Sequence, residues 1–418
     1  MKIKHRCFAV VMLLMFSIFV FPLSAEVWNY PTPDPDRDIK DISFYQGPDD
    51  NGLMANIGGD RPRNVILLIG DGMAFNHVAL ARYRAVGPDG RLYMERMPIT
   101  GILRTHSANR LVTDSAAAAT ALACGIKTDN GRIGTAPDGT AWQSILEKAR
   151  DKGFRTGLVA TSALSHATPA GFAAHVESRN MQVEIAAQML HNRVGILFGG
   201  GRKFWLPQPA GERKDGRNLI EVARAAGYKV VFSRDQLAAL NSGPAVGLFA
   251  DDGMTTYAPE PMLDEMTRVA IGLLSKKADW FAPEPRFFMM IESSQIDWAG
   301  HANDTDNTIR QTLLFDLAVK EALDFAERDT NTLVVVTADH ETGGLLIKAD
   351  RREPTADWNS GGHTAGDVPI YAFGPGSSLF MGTHDIADIP KIIARLLNFN
   401  NFPTPLKAAR PVLQPAGQ

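Results

Sequence analysis

The chain has 418 residues, with 43 lysines and arginines against 46 aspartates and glutamates and a formal net charge of -3. It shows no basic stripe and no aromatic-basic interleaving, which excludes nucleic acid as an expected partner. An anionic substrate would have to be drawn in by local positive charge, from metal or arginine, and not by the overall field.

Residues 1–25 read as a secretory signal peptide. Lys2, Lys4 and Arg6 precede an apolar run from Cys7 to Phe21, and Pro22-Leu23-Ser24-Ala25 supplies the exit, so cleavage is expected after Ala25. The mature protein is then expected in the periplasm or outside the cell, with no stable membrane insertion. Cys7 leaves with the signal, so no intramolecular disulfide is expected and stability must come from the core. The remaining cysteine, Cys124, reads as a buried small residue and not as a nucleophile.

Residues 26–63 are rich in Pro, Asp and Gly (Pro31-Thr32-Pro33-Asp34-Pro35-Asp36) and read as an extended N-terminal arm, over the surface or toward a partner subunit. Asn64 to Ile69 is a continuous apolar run of strand length that delivers Asp71 at its carboxyl end. A helix is expected over Met73 to Ala85, short strands within Leu92 to Thr105, and a helix over Trp142 to Lys152. Thr156 to Ala160 reads as a second buried strand, followed by a polar loop from Thr161 to Pro169. Strands at Gly195–Phe198, Lys229–Phe232 and Gly247–Ala250 alternate with helices near Asn218–Ala226 and Met262–Lys276. Strands at Arg286–Ile291, Thr332–Thr337 and Val368–Phe373, a long helix Asp306–Glu327 and a final helix Ile386–Leu397 complete the pattern. The alternation implies an α/β fold, a large, mostly parallel central sheet between helices, with ligands beyond the carboxyl ends of its strands. Residues 64–400 are expected to form a single catalytic domain with a variable insertion at about 200–285, and 401–418 a C-terminal tail.

Thr113-Asp114-Ser115 leads into Ala116 to Ala119. Asp or Ser is a favoured N-cap and Ala the best helix former, so a helix is expected to begin at Asp114 or Ser115. Its free amides and dipole favour a phosphate-like group beside the Ser115 hydroxyl. Taken alone, the stretch reads as an ordinary capped, buried helix.

Three of the most apolar strands end on acids or histidine: Asp71, Glu292, and Asp339-His340. Buried carboxylates at strand ends are costly unless paired or bound to a cation, so their coincidence suggests metal. Asp297 and His301, four apart, can face one ion and suit zinc; Asp339-His340 fits a second, and His363 adds a histidine in a Gly-rich loop. Thr168, in His166-Ala167-Thr168-Pro169, and Glu292 offer oxygen to magnesium, while Arg179 offers a planar fork for two phosphate oxygens. Singly, each is also an ordinary polar terminus or surface residue.

In sequence, Gly70-Asp71-Gly72-Met73, Thr113 to Ala117, His166 to Ala170, Glu292 to His301, Thr337 to Thr342 and His363-Thr364 resemble the alkaline phosphatases of the secreted, metal-dependent bacterial kind. The resemblance implies hydrolysis of phosphate monoesters through a phosphoserine at Ser115, which also faces the metal centre. It implies two zinc ions, one held by Asp71, Asp339 and His340 and one by Asp297, His301 and His363. It further implies one magnesium held by Asp71, Thr168 and Glu292, with His166 beside it, a phosphate clamp at Arg179, and a homodimer. Two positions depart from the best-known bacterial pattern, which has Asp and Lys where His166 and Trp298 stand. The disulfides of that pattern are also missing. Related diesterases, and a non-catalytic periplasmic phosphate- or metal-binding protein, are the competing functions; the latter has no need of Ser115.

Overall fold

The computed structural model describes residues 38–49, 59–277, 284–350 and 353–406; the expected signal peptide lies outside them, as does most of the arm. Its sheet strands are, in chain order, β1 (Asn64–Gly70), β2 (Ile99–Arg104), β3 (Arg155–Ala163), β4 (Ile196–Gly200), β5 (Lys229–Val231), β6 (Ala245–Leu248), β7 (Phe287–Ser293) and β8 (Thr332–Thr337). Six short strands follow: β9 (Glu341–Thr342), β10 (Leu345–Asp350), β11 (Glu353–Trp358), β12 (His363–Thr364), β13 (Val368–Phe373) and β14 (Gly382–Asp385). Ten of these form one sheet in the order β14-β2-β13-β8-β1-β7-β3-β4-β6-β5, flanked by helices. Only β13 runs against the rest, pairing antiparallel with β2 and β8.

The middle of the sheet follows from composition. Every residue of β1, β7 and β8 is buried, and a strand covered on both faces reads as an unbroken apolar run, not an alternating one. The order around β1 puts β8, β1, β7 and β3 side by side, with Ile69 opposite both Glu292 and Thr337, and Ala160 opposite Glu292. The polar residues that end these strands are therefore neighbours in space.

Three local expectations shift. The helix expected from Trp142 begins only at Ile145, because Ser144 caps it with Glu147 in a reciprocal box. The expected loop Thr161–Pro169 is the end of β3 followed by a helix, Ala167–Ala173, whose first turn tolerates Pro169 because the amides there need no helical partner. The strand expected at Gly247–Ala250 lies earlier, at Ala245–Leu248. Within the described part of the arm, Tyr45 is buried and donates its hydroxyl to Asp316 Oδ2 at 2.6 Å, tying this segment to the helix Thr305–Asp329. No helix among the described residues is long and apolar enough to cross a membrane.

Candidate metal centre and nucleophile

The helix Ser115–Cys124 is buried along its whole length. Its N-cap is Asp114, whose Oδ1 accepts from the Ala117 amide at 2.9 Å, so Ser115 is the first helical residue and its hydroxyl is free of capping duty. Asp114 Oδ2 accepts from the Gly131 amide at 2.9 Å and from Arg179 Nη1 at 3.2 Å. One carboxylate thus starts the helix and aims the arginine beside it. Ser115 is 1% exposed, with Oγ 3.2 Å from His340 Nε2.

Around this hydroxyl stand four fully buried carboxylates, Asp71, Glu292, Asp297 and Asp339. Burial, then the charges of Asp339, Asp297 and Glu292, pushes Asp71 well above the usual carboxylate range; burial pushes Glu292 up to about 7. At Asp297 burial acts in the same sense, but the hydrogen bond and charge of His363, then His301 and His340, outweigh it and hold the carboxyl low. Both oxygens of Asp71, Glu292 Oε1, Asp297 Oδ2, Asp339 Oδ2 and Thr168 Oγ1 are buried without a hydrogen-bond partner. Such a concentration of unmatched acceptors in one place is what a cation site requires.

The histidines make the same point through their tautomers, which their partners fix. His363 Nδ1 lies 2.9 Å from the Thr113 carbonyl and His301 Nδ1 2.8 Å from the Gly361 carbonyl. Carbonyls only accept, so each Nδ1 carries a proton and each Nε2 turns its lone pair inward. The two Nε2 atoms face one another at 3.1 Å, and each lies 3.4 Å from Asp297 Oδ1. Burial lowers His363, but the hydrogen bond and charge of Asp297 raise it above its ordinary value: the group draws positive charge.

Three trios bring their ligand atoms within 4.8 Å of one another: Asp297, His301 and His363; Asp71, Asp297 and His340; and Asp71, His166 and Glu292. Asp339 is outside the second trio, where the sequence put it in place of Asp297, yet its Oδ2 is 3.2 Å from His340 Nε2. Asp71 is shared by two trios, and its place depends on Gly72. That glycine has φ +75°, and a Cβ there would come within 2.8 Å of the Asp297 Cα and the Thr342 hydroxyl. His166 serves two neighbours: its Nε2 accepts from Arg179 Nη2 at 3.2 Å, and burial, then Arg179, pushes its pKa down to about 3. Trp298 meets His166 edge to face, ring centroids 6.2 Å apart.

A family model, Alkaline phosphatase, matches residues 62–352. The chain belongs to the alkaline phosphatase family. It is by that membership an enzyme, a phosphoric monoester hydrolase. Alkaline phosphatase 3 of Bacillus subtilis (strain 168) is 34% identical over 82% of this chain and 90% of its own length. The alkaline phosphatase of the Antarctic bacterium TAB5 is 36% identical, covering 82% of this chain and 100% of its own, with a TM-score of 0.74. A histidine-to-glutamate mutant of the TAB5 enzyme, described with magnesium bound in the M3 site, is 35% identical over 82% of this chain and 99% of its own, TM-score 0.73.

Sequence reading missed what supports the arginine. Arg179 donates its amide to the Gly131 carbonyl, Ile133 bridges to Val176, and His175 Nδ1 meets the Gly134 carbonyl at 2.9 Å. His175 Nε2 pairs with Glu147 Oε2 at 3.1 Å. Burial lowers His175 but the hydrogen bond and charge of Glu147 raise it overall; burial raises Glu147 but His175 lowers it overall. The pair's contribution is therefore lost as pH rises through the raised His175 value, above 6.5, and as pH falls through the depressed Glu147 value. Replacing His175 with Gln leaves a buried carboxylate without its cation, an expected cost of about 3 kcal/mol. Denaturant titrations should show the wild-type advantage shrinking as pH rises above 6.5 through the raised His175 value; an advantage that grows with pH there would refute the pairing.

Proposed function

We propose that the protein hydrolyses phosphate monoesters through a phosphoserine at Ser115, beside two zinc ions and one magnesium. The observation that carries this reading is the Ser115 hydroxyl 3.2 Å from His340 Nε2, at the edge of unmatched buried carboxylate oxygens. Asp297, His301 and His363 would hold one zinc, and Asp71, Asp339 and His340 the other. Asp71, Thr168 and Glu292 would hold magnesium, next to His166. Magnesium is described in the M3 site of a TAB5 mutant that has glutamate in place of a histidine, whereas the third group here keeps His166. When bound, the ions would supply positive charge that stabilises the transferring phosphoryl group and the oxygens that attack and leave it.

The chain's own residues do the rest. Ser115 Oγ forms a bond to phosphorus as the bond from phosphorus to the ester oxygen breaks and the alcohol leaves. Water then attacks the same phosphorus, the serine oxygen departs, and inorganic phosphate is released, so one difficult step becomes two easier ones. Arg179, held by Asp114, is placed to fork two phosphoryl oxygens, and the helix amides face the same charge. Purified protein should release phosphate from a chromogenic monoester; turnover of the matching diester alone would overturn the substrate assignment. We place the enzyme in the periplasm or outside the cell, as a homodimer.

Trp298 removes the positive charge that a lysine would bring beside bound phosphate. Trp298→Lys is expected to tighten competitive inhibition by inorganic phosphate about tenfold, roughly 1.4 kcal/mol, and to slow turnover where product release limits it. Unchanged inhibition in the monoester assay would sink this explanation.

A further inference from the structure

Thr342 sits just past the Asp339-His340 pair and is fully buried. Its Oγ1 lies 2.5 Å from Asp297 Oδ1 and 3.2 Å from His340 Nδ1. In the zinc assignment proposed above these two partners belong to different ions, although Asp297 and His340 also share one of the three trios. A hydroxyl has a single proton and an ionised carboxylate can only accept, so Oγ1 donates to Asp297. His340 Nδ1 must then be the donor to Oγ1, which leaves Nε2 as the lone pair facing Ser115 Oγ, Asp71 and Asp339. The result is one directed chain, His340 Nδ1–H to Thr342 Oγ1–H to Asp297 Oδ1.

We infer that Thr342 is a positioning residue whose hydroxyl links the two proposed zinc groups, orienting His340 in one and Asp297 in the other. The inference rests on the metal assignment proposed above.

The surroundings leave the hydroxyl no other orientation to serve. The Thr342 amide donates to the Gly72 carbonyl at 3.2 Å, and its carbonyl is held by His77 Nε2 at 3.1 Å. His77 is fixed in turn by the Ala74 amide, which donates to its Nδ1 at 3.2 Å. A Cβ on Gly72 would lie 2.8 Å from the hydroxyl, and one on Gly300 would lie 3.0 Å from the Thr342 methyl. Both branches of the side chain are thus packed under glycines, so the rotamer is set. Pairing of β9 with β12 places His363 opposite Thr342, bringing a third ligand to the same short ribbon. Partners that orient ligating histidines and carboxylates typically change metal affinity 10- to 100-fold when removed.

The test is stepwise zinc affinity, by competition with a chromophoric chelator, for the wild type, Thr342→Val and Thr342→Ser. Valine keeps the shape and loses the hydroxyl; serine keeps the hydroxyl and loses the methyl. Both zinc steps are expected to weaken together by about 10- to 100-fold in the valine variant and to stay near wild type in serine, while the melting temperature of the metal-stripped proteins changes little in valine. Unchanged affinity in Thr342→Val, or weakening of one step alone, would overturn the linkage. A wild type that binds no zinc would overturn the metal assignment itself, and the linkage with it.

Discussion

Replacing Ser115 with alanine is expected to lower kcat for a phosphate monoester by on the order of 10⁴- to 10⁶-fold, the loss seen when a nucleophile is removed from an otherwise intact site. The fold should survive, because the helix is capped by Asp114 and not by Ser115. Alanine is also the better helix former, and among the described residues the serine side chain's polar contact is with His340. Melting temperature and metal content should therefore match wild type while turnover collapses. Residual rate would come from arginine, helix amides and charge acting on direct attack by water. Activity within tenfold of wild type would mean that another group takes the phosphoryl.

Chelation is expected to be the other large effect. With the ions stripped, four buried carboxylates and three inward-turned imidazoles face one another without counter-charge. Asp71 already feels this, pushed up by burial and by Asp339, Asp297 and Glu292. Loss of charge stabilisation worth several kcal/mol at the transferring group corresponds to a fall in kcat on the order of 10³-fold or more. Stability should fall in parallel, by about 4 kcal/mol if the ions are present at a thousand times their dissociation constants. Turnover and denaturant midpoint before and after chelator, with zinc or magnesium restored singly and together, check both. A chelated protein that keeps its rate would refute the metal assignment, and restoration by magnesium alone would refute the zinc ions.

The sheet centre and most residues of the candidate site were legible in the chain because both follow from local pattern. β1, β7 and β8 announce themselves as apolar runs, and a run that ends on Asp71, Glu292 or Asp339-His340 points to the candidate site. The antiparallel course of β13 was not legible, since its six residues read alike in either direction. Nor were β9 and β12, two residues each, which owe their pairing to the surrounding site and not to propensity. What the residues do for one another was hidden for a different reason. The Thr113 carbonyl that fixes His363 is 250 positions away, and the Asp114–Arg179–His166 chain joins three segments. Such contacts exist only once the sheet has brought strand ends together. Asp114 shows the gain most clearly: the sequence offered it as a cap, and the fold makes it the holder of Arg179 as well.

In the proposed reaction Ser115 carries the phosphoryl group. Acid quenching of the wild-type enzyme during turnover of a phosphate monoester, followed by peptide mass spectrometry, addresses it directly. A phosphate on the peptide that contains Ser115, localised to that residue and absent from Ser115→Ala, is the predicted result. Phosphate release with no phosphorylated Ser115 under conditions that trap an acid-stable phosphoserine would contradict it.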